Sequence, residues 1–101
     1  MVFSALSCSQ SPVPAPDTPV VGVILPYSSA FTAIAEEQEN AVKLALEDSG
    51  HSAELVFADC GGDNAGAVDA YKKFMSGDKR PQAVISCASW VAETLHPMTA
   101  K

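Results

Sequence analysis

Positive charge is scarce in this sequence. Six Lys and Arg stand against twelve Asp and Glu in 101 residues, a net charge of −6, and no basic cluster forms. A chain without a basic patch has nothing to neutralise a phosphate backbone or an anionic bilayer, so nucleic acid and a membrane surface are excluded as direct partners. Long apolar runs are also missing: none approaches the roughly 20 residues that a membrane span requires. The three cysteines, Cys8, Cys60 and Cys87, are far apart and form no CxxC pair, so the spacing of a zinc site is absent. Cofactor signatures are lacking as well. The sole glycine pair, Gly61-Gly62, belongs to no GxGxxG pattern, and there is no GxxxxGK[ST] phosphate loop. The sequence therefore predicts no metal and no cofactor.

Catalytic constellations are equally hard to find. His51 lies in a polar turn and His96 precedes Pro97, neither with an evident partner. Ser28, Ser29 and Ser89 are outside any GxSxG setting, and no serine, histidine and acid can be assembled. Asp59 and Asp63 read as turn and cap residues. No catalytic residue is assigned, and the chain is not read as an enzyme.

What is present is an α/β pattern. Apolar residues make up 48% of the chain, enough for one domain with a modest core. The run VVGVIL opening at Val20 carries no charge and is rich in β-branched residues, the pattern of a strand buried on both faces. It ends at Pro26, followed by Tyr27, Ser28 and Ser29. Ser28 or Ser29 is expected to cap a first helix, with Ile34, Ala41, Val42, Ala45 and Leu46 as its inward stripe and Gly50 as its left-handed stop. Glu36, Glu39, Lys43 and Glu47 are expected in solvent. Residues 53–58 form a second strand. Asp63 caps a second helix whose stripe is Val68, Tyr71, Phe74 and Met75. Residues 83–86 form a third strand, and a last helix carries Pro97.

The order β-α-β-α-β-α with short connections predicts a three-layer α/β fold: a parallel sheet of three strands, order 2-1-3, with helices on both faces. Parallel strands bring their following loops to one rim. Ser28, Ser29 and Phe31 follow the first strand, and Ala88, Ser89 and Trp90 follow the third. Helix starts with free backbone N–H groups suit a carboxylate, and aromatic rings suit an apolar group. The same residues equally satisfy helix capping and a core tryptophan, so local pattern leaves both readings open.

Residues 1–8, MVFSALSC, resemble the tail of a bacterial lipoprotein signal in which Cys8 would carry the lipid. A basic n-region is absent, the apolar part is short, and Ala5 stands where leucine is usual. The expectation is that translation starts upstream and Met1 is internal. Residues 9–19, SQSPVPAPDTP, hold four prolines in eleven and read as an extended tether. The folded part is residues 20–101.

Over that span the chain resembles the beginning of a type I periplasmic binding protein of the branched-chain amino-acid (leucine/isoleucine/valine) ABC-transporter receptor family. VGVILPYSSAFTAIAEEQENAVKLALED is similar to the family's opening strand, turn and first helix, with Ser28-Ser29-Ala30 where Ser-Gly-Pro is common. FADCGGDNAGAVDAYKKFM resembles its second strand, acidic turn and second helix. AVISCASWVAETLHPMTAK resembles the third strand and the helix containing proline. The resemblance implies a partial N-terminal lobe one whose Ala88, Ser89 and Trp90 grip a ligand carboxylate, while Ser28, Ser29 and Phe31 border its side chain. Trp90 replaces a small or hydroxyl residue, and Ile34 stands where some members have a pocket tyrosine. It further implies a substrate-binding component of an ABC importer for amino acids or related carboxylates, partnered by a membrane permease. Its place would be the periplasm or outer cell surface, with the membrane reached only through a lipid anchor. Some relatives bridge the regions of Cys60 and Cys87, so a disulfide or two free thiols are both open. Because the family has two lobes, the chain is expected to be a fragment that binds weakly alone. The alternatives are a ligand-sensing domain of the same fold in a receptor or regulator, and a small flavodoxin-like enzyme.

Overall fold

A computed structural model describes residues 18–99. Six elements follow in order: β1 (Val20–Leu25), α1 (Thr32–Ser49), β2 (Glu54–Asp59), α2 (Asn64–Ser76), β3 (Ala83–Ser86) and α3 (Ser89–Thr99). The expected lipid site Cys8 and most of the tether lie outside the described residues.

The three strands pair in the order β2-β1-β3, both pairs parallel, as the pattern predicts. The central strand is apolar because it has no solvent face. Val23 and Leu25 point to one side and pack with Ala35, Val42, Leu55 and Phe57. Ile24 points to the other and packs with Ala67, Ala70, Phe74, Val91 and Leu95. Each fully buried aliphatic side chain contributes about 1.5–3 kcal/mol relative to exposure. The result is three layers: α1, the sheet, and α2 with α3.

Local chemistry sets several ends as expected. Asp63 caps α2, its side chain accepting from the Gly66 amide at 2.7 Å. Gly50 ends α1 in the left-handed conformation, φ 72°. Strand β2 runs one residue later than the apolar pattern suggested, because Asp59 pairs with Leu25.

The start and facing of α1 differ from expectation. Phe31 is its N-cap and no side chain caps it, so neither serine does. Ser29 instead forms a tight turn, donating to the Pro26 carbonyl at 2.8 Å and accepting from the Phe31 amide at 3.0 Å. Thr32 donates to the carbonyls of Tyr27 and Ser29. That turn fixes the rotation of the helix. Ala35 is fully buried and Val42 packs beside it, while Ile34, Ala41 and Ala45 are exposed. Glu39, expected in solvent, is partly buried: it accepts from the Tyr27 hydroxyl and from Lys43. In α2 the stripe is centred on Ala67, Ala70 and Phe74, with Tyr71 and Met75 at its margin.

Candidate functional site

Because all three strands are parallel, the loops after β1, β2 and β3 share one rim. The β1 and β3 loops there enclose a pocket of about 120 Å³. Pro26 and Phe31 come from the first loop, Cys87 and Ala88 from the third, Trp90 from the start of α3, and Ile34 with Gln38 from the first turns of α1. Its walls are almost wholly carbon. Phe31 is about half exposed, at 51%, so this ring lines the pocket at the surface rather than joining the core. Trp90 both lines the pocket and rests on the α2–α3 core.

Of the six sequence-predicted ligand contacts, the structure gathers Phe31, Ala88 and Trp90 around this pocket and leaves the three serines out of its lining. Ser28 is engaged elsewhere: its hydroxyl donates to Asp59, and its amide donates to Asp59 Oδ1 at 3.2 Å. Ser29 is consumed by its own turn. Ser89 is exposed at the first position of α3, where the earliest backbone bonds come from Val91 and Ala92 to the Ala88 carbonyl. The amides of Ser89 and Trp90 thus precede the hydrogen-bonded ladder, as at any helix start. Ile34 lines the pocket at the position where the resemblance puts a pocket residue, and Gln38 is the lining residue that the sequence does not reveal. Its spacing of four from Ile34 on α1 is the signal, readable only once the rotation of the helix is known.

Asp59 joins two loops of the rim. Besides Ser28 it accepts from the Gly61 amide at 2.9 Å, and Gly61 needs its φ of 67° to present that amide. Burial works to raise the Asp59 pKa, but the hydrogen bonds from Ser28 and Gly61 outweigh it and hold the carboxyl below its ordinary value. A depressed folded pKa stabilises the fold above the unfolded pKa and loses that contribution as pH falls through the folded value. The stability advantage of wild type over Asp59→Asn is therefore expected to be constant above about pH 5 and to shrink on acidification below about pH 4. Urea unfolding at a series of pH values reads this directly, and a gap that stays constant down to the acid limit would contradict it.

Tyr27 is pushed far above its usual range by burial and by its hydrogen bond to Glu39. Glu39 is held low, chiefly by Lys43 and then by Tyr27. The three groups lock the first loop to α1. The Cys87 thiol is raised by burial, so at neutral pH it is a thiol rather than a nucleophilic thiolate. Cys60 and Cys87 are both free. Cys60 packs into the α2–α3 core and Cys87 lines the pocket. His51 and His96 are exposed. Among the described residues no group of three His, Cys, Asp or Glu is placed to hold a metal ion, and no helix is long and apolar enough to cross a membrane.

The fold and rim together describe an α/β domain with a small apolar pocket at the carboxyl end of a parallel sheet, where such sheets commonly place their ligand crevices. Among solved structures the chain is similar to an extracellular ligand binding receptor from Desulfohalobium retbaense DSM5692, at 49% sequence identity and a TM-score of 0.76. The match covers 82% of this chain and 15% of that receptor, so the chain spans a small part of the receptor's length. No family model matches the sequence, and no curated protein does.

Proposed function

We propose that this domain is the opening part of lobe one of a periplasmic-binding-protein-type receptor, the substrate-binding component of an ABC importer for amino acids or similar small carboxylates. The observation that carries this reading is the small apolar pocket formed where the β1 loop and the start of α3 converge. The 49% identity to part of an extracellular ligand binding receptor supports it. On this reading the partner is a membrane permease, the place is the periplasm or outer cell surface, and Cys8 carries the lipid anchor.

Electrostatics assigns the two ends of the ligand. The Asp59 carboxylate beside Ser28 repels a second carboxylate at the first loop. The start of α3 attracts one, through the amides of Ser89 and Trp90, the Ser89 hydroxyl and the helix dipole. The ligand carboxylate therefore sits at Ser89, with Ala88 leaving room for it. Its other end enters the pocket between Phe31 and Trp90. Ser28 and Ser29 act by shaping the loop that presents Phe31.

The test is a thermal-shift series on the natural full-length protein with amino acids, amides and small carboxylates. A true ligand at a hundred times its Kd adds about 2.7 kcal/mol of stability. No shift with any compound would remove the reading. Phe31→Ala supplies the residue-level check. Its ring is half exposed, so covering the rest against a ligand is worth about 0.8–1.5 kcal/mol. The variant is expected to melt close to wild type without ligand and to bind roughly 3–10-fold more weakly.

A further inference from the structure

One polar atom at the rim is left without a partner. The amide oxygen of Gln38 is closed off from solvent and accepts no hydrogen bond, and it is the one such side-chain atom among the described residues. Gln38 sits one turn past Ile34 on α1, and both line the apolar pocket. Cys87, which also lines the pocket, makes no bond to it. Native folds keep very few buried polar atoms unpaired, because such an atom loses its water and gains nothing in return. A leucine or methionine at this position would pack the wall without that loss. The glutamine is thus unfavourable for the empty domain and calls for an occupant that completes it.

We infer that Gln38 selects the ligand: the group entering the pocket carries a hydrogen-bond donor, a hydroxyl or an amide, on a short apolar stem. The inference rests on the ligand-binding reading above and narrows its ligand class away from purely aliphatic side chains. The pocket of about 120 Å³ is smaller than the roughly 150 Å³ cavity that accepts benzene, so the stem is a few heavy atoms long. A half-turn about the last torsion of the glutamine, a soft and broad coordinate, exchanges the buried oxygen with the NH2 group and offers the oxygen to the entering donor. A site that hydrogen-bonds a substrate group rejects the analogue lacking it far more strongly than an apolar wall rejects an added hydroxyl.

Calorimetric titration of the natural full-length protein with two matched pairs tests this: threonine against valine, and asparagine against leucine. Wild type is expected to bind the polar member of each pair at least tenfold more tightly. Gln38→Met, which keeps the volume and removes the acceptor, is expected to erase or reverse the preference. Gln38→Glu, which keeps an acceptor, is expected to retain it. Equal or tighter binding of valine and leucine by wild type overturns the inference while leaving the ligand-binding reading intact, and needs no variant to fold. An unchanged preference in Gln38→Met overturns it too. Binding of none of the four overturns this inference, and the ligand-binding reading then stands or falls by the wider thermal-shift series.

Discussion

Alanine at position 66 is expected to destabilise the domain by about 3 kcal/mol, the upper end of what overpacking by one methyl group costs. Gly66 is the third residue of α2, where its amide reaches the Asp63 cap. A Cβ there would lie 1.8 Å from the Cys60 carbonyl oxygen and 2.7 Å from its carbon. Both are main-chain atoms, so no side-chain rotation can relieve the clash. Nor can the turn retreat freely: the Cys60 amide donates to the Leu25 carbonyl at 3.0 Å, tying the end of β2 to β1. Gly61 and Gly62, both at positive φ, shape the same turn. The helix has been brought down onto the β2 loop as closely as a glycine allows. Gly50→Ala is the control. Nothing lies within 4 Å of its missing Cβ, but its φ is 72°, so that variant carries only the left-handed cost of about 1–2 kcal/mol. Urea unfolding of both variants should rank Gly66→Ala as clearly the worse. Equal losses would mean that α2 does not press on the loop at Gly66.

The elements that the sequence makes legible are those fixed by short-range chemistry. β1 is uniformly apolar, which only a strand covered on both faces tolerates, and that alone places it at the centre of the order 2-1-3. The cap at Asp63 and the stop at Gly50 follow from one residue each. The facing of α1 was not legible, because an alanine-rich helix offers several rotations of nearly equal apolar content. The choice among them falls to the Ser29 and Thr32 turn bonds. The site divides in the same way. Phe31, Ala88 and Trp90 could be placed at one rim from strand order. That Ser28 would bond to Asp59, 31 residues on, could not, since strand register decides it and many polar residues could have served. Gln38 gives no signal at all until α1 is seen to turn it toward the pocket.

Phe74→Ala is expected to be about as damaging, at roughly 3–5 kcal/mol, through the cavity it leaves between α2 and the sheet. The ring of Phe74 occupies the space that Gly22 leaves free in the middle of β1. A Cβ on Gly22 would meet Phe74 Cε2 at 2.6 Å and Cδ2 at 2.9 Å, with Pro81 Cγ at 3.0 Å. The glycine and the phenylalanine are therefore one packing unit. In wild type, Gly22→Ala should cost about 1–3 kcal/mol by overpacking. With Phe74 already alanine, the new methyl group gains room and the cost should fall, giving a coupling of at least about 1 kcal/mol in a double-mutant cycle. Additivity within about 0.5 kcal/mol would show that the ring does not cover the glycine. The cluster that holds Phe74 also holds Val91 and Leu95 of α3, and Ala88 and Trp90 rest against it. The ring that fills the gap over Gly22 thus belongs to the same packing that seats the third loop at the rim. Weakening that packing should loosen Trp90 in its wall, and the ligand affinity of Phe74→Leu, a milder substitution, should fall along with its melting temperature.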